Sequence, residues 1–163
     1  MIIKDIQDET LQDYKDVAML ISARTCDWKC CRDAGSEICQ NSEVARRKDI
    51  DVPNEKICER YLSNKVSKAI IFGGLEPMFQ ILDILAILEL LRNHYHCNDT
   101  VVIYTGYDKS EIEPQIRALS EYPNVIVKYG RFIPNQPTHY DAVLGVFLAS
   151  PNQWAEKISY GEK

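Results

Sequence analysis

Five short runs along the chain are almost continuously apolar: Val17–Ser22, Lys68–Phe72, Val101–Tyr104, Val125–Lys128 and Val143–Leu148. Runs of this length without alternation are expected of strands covered on both faces. A slower period lies between several of them. Ser42–Lys48 and Asn54–Asn64 read as helices before the second strand. Pro77–Asn93 carries Ile81, Leu82, Leu85, Leu88 and Leu91 at helical spacing, with Asp83 and Glu89 off that stripe. Ser110, followed by Glu111 and Glu113, reads as the capped start of a helix reaching about Glu121. Alternating strands and helices predict an α/β fold of mostly parallel strands. The 163 residues form one domain, 1–163, too short for an eight-fold barrel of ~250 residues. The expected architecture is therefore a partial (β/α) barrel or an open doubly wound sheet. Either one gathers its ligand site at the carboxyl ends of the strands. There it would bring together residues 23–41, 73–77 and 105–108. From about residue 130 the Pro- and Asn-containing segment reads as irregular.

Charge and composition narrow the function classes. A net charge of −5 argues against a nucleic-acid partner held through its phosphates. The richest apolar stretch, Met78–Leu91, is interrupted by Gln80, Asp83 and Glu89, so no membrane-spanning helix is expected. The acidic N-terminal stretch has no signal-like apolar region, which predicts a cytoplasmic protein. Disulfides are rare in that compartment. The chain nevertheless has six cysteines, four of them between Cys26 and Cys39. Such a cluster points to metal or redox chemistry.

That loop reads SARTCDWKCCRDAGSEICQNS. Three residues separate Cys26 from Cys30, and eight separate Cys30 from Cys39. Thiolates ligate zinc and iron–sulfur clusters. A closed structural site uses four protein ligands, whereas three thiolates on a four-iron cluster leave one iron open. Two alternatives stand beside this: buried free thiols, or a zinc knuckle with Cys31 as fourth ligand. Adjacent Cys30 and Cys31 project differently from an extended loop, which makes Cys31 a neighbouring or spare thiol. Cys58 falls in a helical stretch and reads as a core or surface cysteine. Cys97, after His94 and His96, has no partner motif.

The cysteine loop resembles the cluster motif of radical S-adenosylmethionine (SAM) enzymes, Cys-x-x-x-Cys-x-x-Cys. Cys26 and Cys30 match its first two cysteines, and Ile38-Cys39-Gln40-Asn41 resembles its last part. The gap before the third cysteine is eight residues instead of two. The run FGGLEPMFQ resembles the same superfamily's Gly-Gly-Glu-Pro motif with Leu75 inserted; Gly73, Gly74, Glu76 and Pro77 are the counterparts. Read alone, it is a strand-to-helix turn with Pro77 at the first helical position. Within the superfamily, Tyr104-Thr105-Gly106-Tyr107, Gly130-Arg131-Phe132 and Ala149-Ser150-Pro151-Asn152-Gln153 resemble segments of the activating proteins of anaerobic ribonucleotide reductase.

The resemblance implies a [4Fe–4S] cluster on Cys26, Cys30 and Cys39. It also implies SAM bound beside Ile38, Gln40, Asn41, Gly73, Gly74, Glu76, Pro77, Tyr104, Thr105 and Gly106. Ile38 and Trp28 would give the cluster apolar cover, although for Trp28 plain packing serves as well. Asn41 fits either a ribose contact or the N-cap of the helix at Ser42. The implied activity is reductive cleavage of SAM to a 5′-deoxyadenosyl radical that installs a glycyl radical. The implied partners are the large glycyl-radical subunit of the reductase and an electron donor such as flavodoxin or ferredoxin. Arg46-Arg47-Lys48 reads either as a docking patch or as a solvated charge cluster. Two other readings remain: a small radical SAM enzyme with another protein or peptide substrate, and a non-catalytic zinc or iron–sulfur module.

Overall fold

The computed structural model describes residues 1–159, so residues 160–163 of the expected domain lie outside the described residues. The elements run β1 (Ile2–Thr10), β2 (Ala18–Ala23), α1 (Lys29–Ala34), α2 (Ser42–Ala45), β3 (Ile50–Asp51), α3 (Asn54–Ser63) and β4 (Ala69–Gly73). They continue with α4 (Ile81–Glu89), β5 (Thr100–Tyr104), α5 (Glu113–Ser120), β6 (Val125–Tyr129), β7 (His139–Asp141), β8 (Val146–Leu148) and β9 (Trp154–Lys157). Seven strands form one sheet in the order β3-β1-β2-β4-β5-β6-β9, and β7 pairs only with β8. The central four, β2, β4, β5 and β6, are parallel. Antiparallel strands extend the sheet on both sides.

Alternation along the parallel strands gives the sheet two unlike faces. Met19, Ile21, Ile70, Phe72, Val101, Ile103, Val125 and Val127 point to one face and pack against α3, α4 and α5. Each such fully buried side chain contributes roughly 1.5–3 kcal/mol. The intervening residues Ala18, Ala69, Ile71, Val102 and Ile126 point to the other face. Tyr14, Leu144 and Leu148 cover them there, and no helix among the described residues does. Toward the carboxyl ends the second face turns polar or open, with Ser22, Gly73, Tyr104 and Lys128 lining a cavity.

The structure corrects several expectations. Of the stripe expected on the long helix, Leu88 and Leu91 are buried and Ile81 and Leu85 are partly buried against the core, joined there by Ile84 and Ile87, while Leu82 is 79% exposed. The long helix is also divided. Pro77–Gln80 forms a 3-10 turn, and Leu90–His94 is a π-helical end. The capped start expected at Ser110 belongs to a 3-10 turn, Lys109–Glu111: the Asp108 side chain accepts from the Glu111 amide and the Glu111 side chain from the Asp108 amide, while α5 begins only at Glu113 and has no side-chain cap. The run Val143–Leu148 contributes only Val146–Leu148, in a hairpin outside the main sheet. The segment after residue 130 is irregular only as far as β7, and it later supplies edge strand β9.

Candidate metal centre

Each of the four parallel strands ends at the same rim of the sheet, and its following loop delivers the polar groups. Cys26, Cys30, Cys39, Gln40 and Asn41 follow β2. Gly73, Gly74 and Glu76 lie at and after the end of β4. Tyr104, Thr105 and Gly106 do the same for β5. All of them line one cavity of about 390 Å³, a size ordinary for a small-molecule site. Two of the expected site residues do not line it. Pro77 is buried at the first position of its 3-10 turn, where its fixed φ starts the turn. Ile38 is half-buried beside Cys39 and contributes nothing to the wall. Cys31 faces a separate outer groove with Trp28, Glu37 and Arg46.

The loop around the cysteines holds two short helices, α1 and α2. Between the first two cysteines, Trp28 takes a left-handed conformation at φ 58°, which costs a side-chain-bearing residue about 1–2 kcal/mol. Its amide donates to Cys26 Sγ at 3.4 Å. Asn41 stands at the N-cap of α2, yet its side chain makes no capping bond and instead lines the cavity.

Burial pushes the Cys26 thiol up to about 11; the carboxyls of Glu76 and Asp27 add to this, and the Trp28 amide opposes it. Cys30 is raised by burial and then by Cys31 and Cys39. Cys39 is raised by burial too, with the Asn41 amide acting against it and Cys31 and Glu37 adding to it. None of the three sulfurs has a Lys or Arg partner among the described residues. Desolvated thiols that face one another without a cation become thiolates when a metal supplies the positive charge. The donor set therefore fits a thiolate-bound metal group. Among the described residues no three His, Cys, Asp or Glu side chains converge on a single ion.

Glu76 is the buried carboxyl of the cavity. Its Oε1 accepts from the Met78 amide at 3.1 Å and the Thr105 hydroxyl at 2.8 Å, and its Oε2 accepts from the Gly106 amide at 2.8 Å. A carboxylate has about four acceptor sites, so one remains on Oε2. Burial raises its pKa against those three donors. The turn that delivers it needs a glycine: Gly74 has φ 73°, and a Cβ there would stand 2.9 Å from Ser22 Cβ. The Glu76 amide also donates to Thr25 O at 2.9 Å, tying this turn to the cysteine loop.

A family model described as a 4Fe-4S single cluster domain matches residues 17–148. The chain belongs to this 4Fe-4S single-cluster family. No curated protein and no solved structure matches it. The family assigns an iron–sulfur cluster to the chain, and the cysteine loop is where this member has thiols on a cavity. No helix among the described residues is long and apolar enough to cross a membrane.

Lys128 is a cavity residue that reading the sequence for motifs missed. It is buried, its ammonium donates to Gly130 O at 2.9 Å, and it lies 5.7 Å from the Tyr104 ring centroid. Burial lowers its pKa to about 8, partly offset by Glu76. The signal was a lone charge inside the apolar run VIVKY, in phase with Ile126. Asp27, Tyr107 and Arg131 form a second unforeseen group at the rim.

Proposed function

We propose that this single-cluster protein is a radical SAM activating enzyme that installs a glycyl radical on the large subunit of an anaerobic ribonucleotide reductase. One observation carries the reading: three thiols and one buried carboxyl face a single cavity at the carboxyl ends of four parallel strands. Three thiolates leave a four-iron cluster one open corner. Glu76 beside it has one acceptor site free for a ligand ammonium. When bound, the cluster and SAM would supply one-electron cleavage of a sulfonium carbon–sulfur bond, with the electron from an external donor, and so a 5′-deoxyadenosyl radical able to take a hydrogen atom from a glycine of the partner.

The chain's own residues position and shield that chemistry. Cys26, Cys30 and Cys39 hold the cluster. Glu76, fixed by Thr105 and Gly106, orients the amino group of SAM. The side-chain-free backbone at Gly73-Gly74 lets a ligand approach closely. The uncommitted side chain of Asn41, with the backbone of Gln40, serves the adenosine end. Tyr104 and Phe132 narrow the cavity and limit water. Helices on one face of the parallel strands and a cavity on the other support a partial (β/α) barrel with its site on the inner face. An electron donor of the flavodoxin or ferredoxin class completes the set of partners.

The test is anaerobic reconstitution. The loaded protein should contain about four irons per chain. With SAM and a strong reductant it should release methionine and 5′-deoxyadenosine, and with the reductase's large subunit it should give a glycyl-radical signal in electron paramagnetic resonance. SAM cleavage without that signal would leave a radical SAM enzyme with a different protein or peptide substrate. A cluster without SAM cleavage would leave a binding module.

A further inference from the structure

Asp27, the residue after the first cysteine, is the most connected side chain of the loop. Its Oδ1 accepts from the Lys29 amide at 3.0 Å and stands 3.8 Å from Cys26 Sγ. Its Oδ2 accepts from the Tyr107 hydroxyl at 3.3 Å, with the Arg32 guanidinium 3.9 Å away. This side-chain-to-backbone turn spans Asp27 to Lys29 and contains the left-handed Trp28, whose amide points at the Cys26 sulfur. A tryptophan does not hold φ 58° by preference, so the surrounding bonds must hold it there.

Tyr107 reaches this turn out of the loop after β5. Several contacts hold it there. The Arg131 guanidinium lies 5.0 Å from its ring centroid, and Phe79 meets the ring edge-on at 6.5 Å. Arg131 is held in turn by two bonds to Glu111, at 2.7 and 3.1 Å. The Gly130 amide donates to Tyr107 O at 3.1 Å, and the Tyr107 amide donates to Thr105 Oγ1 at 3.0 Å. The tyrosine is thus tied to the sheet end, and its hydroxyl adds a bond from there to the cysteine turn.

We propose that Tyr107 is a positioning residue for the cluster. Through Asp27 it fixes the turn that aims the Trp28 amide at Cys26, and so it sets the cluster's reduction potential. Hydrogen bonds to a ligating sulfur draw charge from it and raise that potential. The proposal rests on the cluster reading and adds to it a link between the loop after β5 and the cluster's redox properties.

The experiment is a redox titration of the reconstituted protein, followed by electron paramagnetic resonance and iron analysis. Tyr107→Phe keeps the ring and removes only the hydroxyl. It should keep the iron content and move the midpoint to a more negative value. At a fixed reducing poise, the ratio of reduced to oxidised cluster should fall roughly two- to tenfold, the equilibrium worth of one hydrogen bond. The decisive comparison is the same change in a Trp28→Gly background. Glycine adopts φ 58° without strain, so the turn no longer needs the tyrosine and the shift should shrink markedly. Should Tyr107→Phe instead lose iron, the same cycle is read on iron content, and relief by Trp28→Gly upholds the proposal. An unmoved midpoint, or an effect of equal size in both backgrounds, overturns it while leaving the cluster reading intact. A wild-type protein that assembles no cluster overturns both.

Discussion

The two faces of the sheet are made from alternate residues of the same strands, yet they do different work. On the helix-covered face the apolar pattern runs the full length of each strand, from Val101 to Ile103 and from Val125 to Val127. On the other face it stops short. Ile71 gives way to Gly73, Val102 to Tyr104, and Ile126 to Lys128, two residues further along. Fold stability therefore concentrates on one side and chemistry on the other. The division is set by strand parity and by which end of the strand a residue occupies, so residues adjacent in sequence fall into different roles.

The sharpest way to break this division is to remove a cavity thiol. Cys39→Ala should reduce the reconstituted protein from about four irons per chain to nearly none. The melting point of the iron-free chain should barely move, because a half-buried thiol on a loop carries little packing. Cys31→Ala, on the outer groove, should keep its iron. The opposite pair of results would place the third thiolate at Cys31.

The helix-covered face should behave in the reverse manner. Leu88 is fully buried between α4 and the sheet. Leu88→Ala should lower unfolding free energy by about 2–5 kcal/mol in a denaturant titration. The fraction that remains folded should take up iron as the wild type does. Iron loss out of proportion to unfolding would mean that the two faces are not separable.

The same contrast explains what the sequence made legible. The four parallel strands are fully apolar and need no partner to be recognised, and the cysteine and Gly-Gly loops at their ends carry dense, specific residues. β1 was invisible because it is an extension of the sheet whose outward positions are charged. Asp5 pairs with Arg47, and Asp8 with Arg60, across 42 and 52 residues. Neither pairing leaves an apolar signature. α1 has no buried residue at all, so no periodic stripe marks it. The helical stripe was right at Leu88 and Leu91 and wrong at Leu82, which at 79% exposure is as apolar as its buried neighbours. Of the candidate site, the thiols and Glu76 could be read in advance. Lys128, Asp27 and Tyr107 could not, because they enter the site only through register and packing across distant loops.

A smaller effect sharpens the cavity side. Glu76→Gln keeps the shape and removes the charge that would meet a ligand ammonium. Losing a hydrogen bond to a charged group costs about 1.5–3 kcal/mol, so SAM affinity should weaken roughly ten- to a hundredfold in equilibrium dialysis. The Gln amide group must also turn its NH2 toward one of the donors that Glu76 accepts from, so the apo protein should melt somewhat below the wild type, and affinity is read on the folded protein. Unchanged affinity would detach Glu76 from the ligand.

The smallest effect concerns Lys128, the charge placed where an apolar strand meets the cavity. Its folded pKa, about 8, lies below the ordinary lysine value of 10.5. Between those values the unfolded chain holds the proton and the folded chain has released it. The unfolded state therefore binds more protons, and stability rises with pH across that window. Conversely, the contribution is lost as pH falls through 8, where the buried amine must take up a charge. Between pH 8 and 9 the gain should be about 1 kcal/mol. Lys128→Met, which keeps the stem and removes the titrating group, should flatten that rise when its unfolding curves are subtracted from those of the wild type. If both proteins gain equally, the ammonium is already neutralised inside the fold, most directly by Glu76, and the cavity holds an internal ion pair instead of a lone desolvated cation.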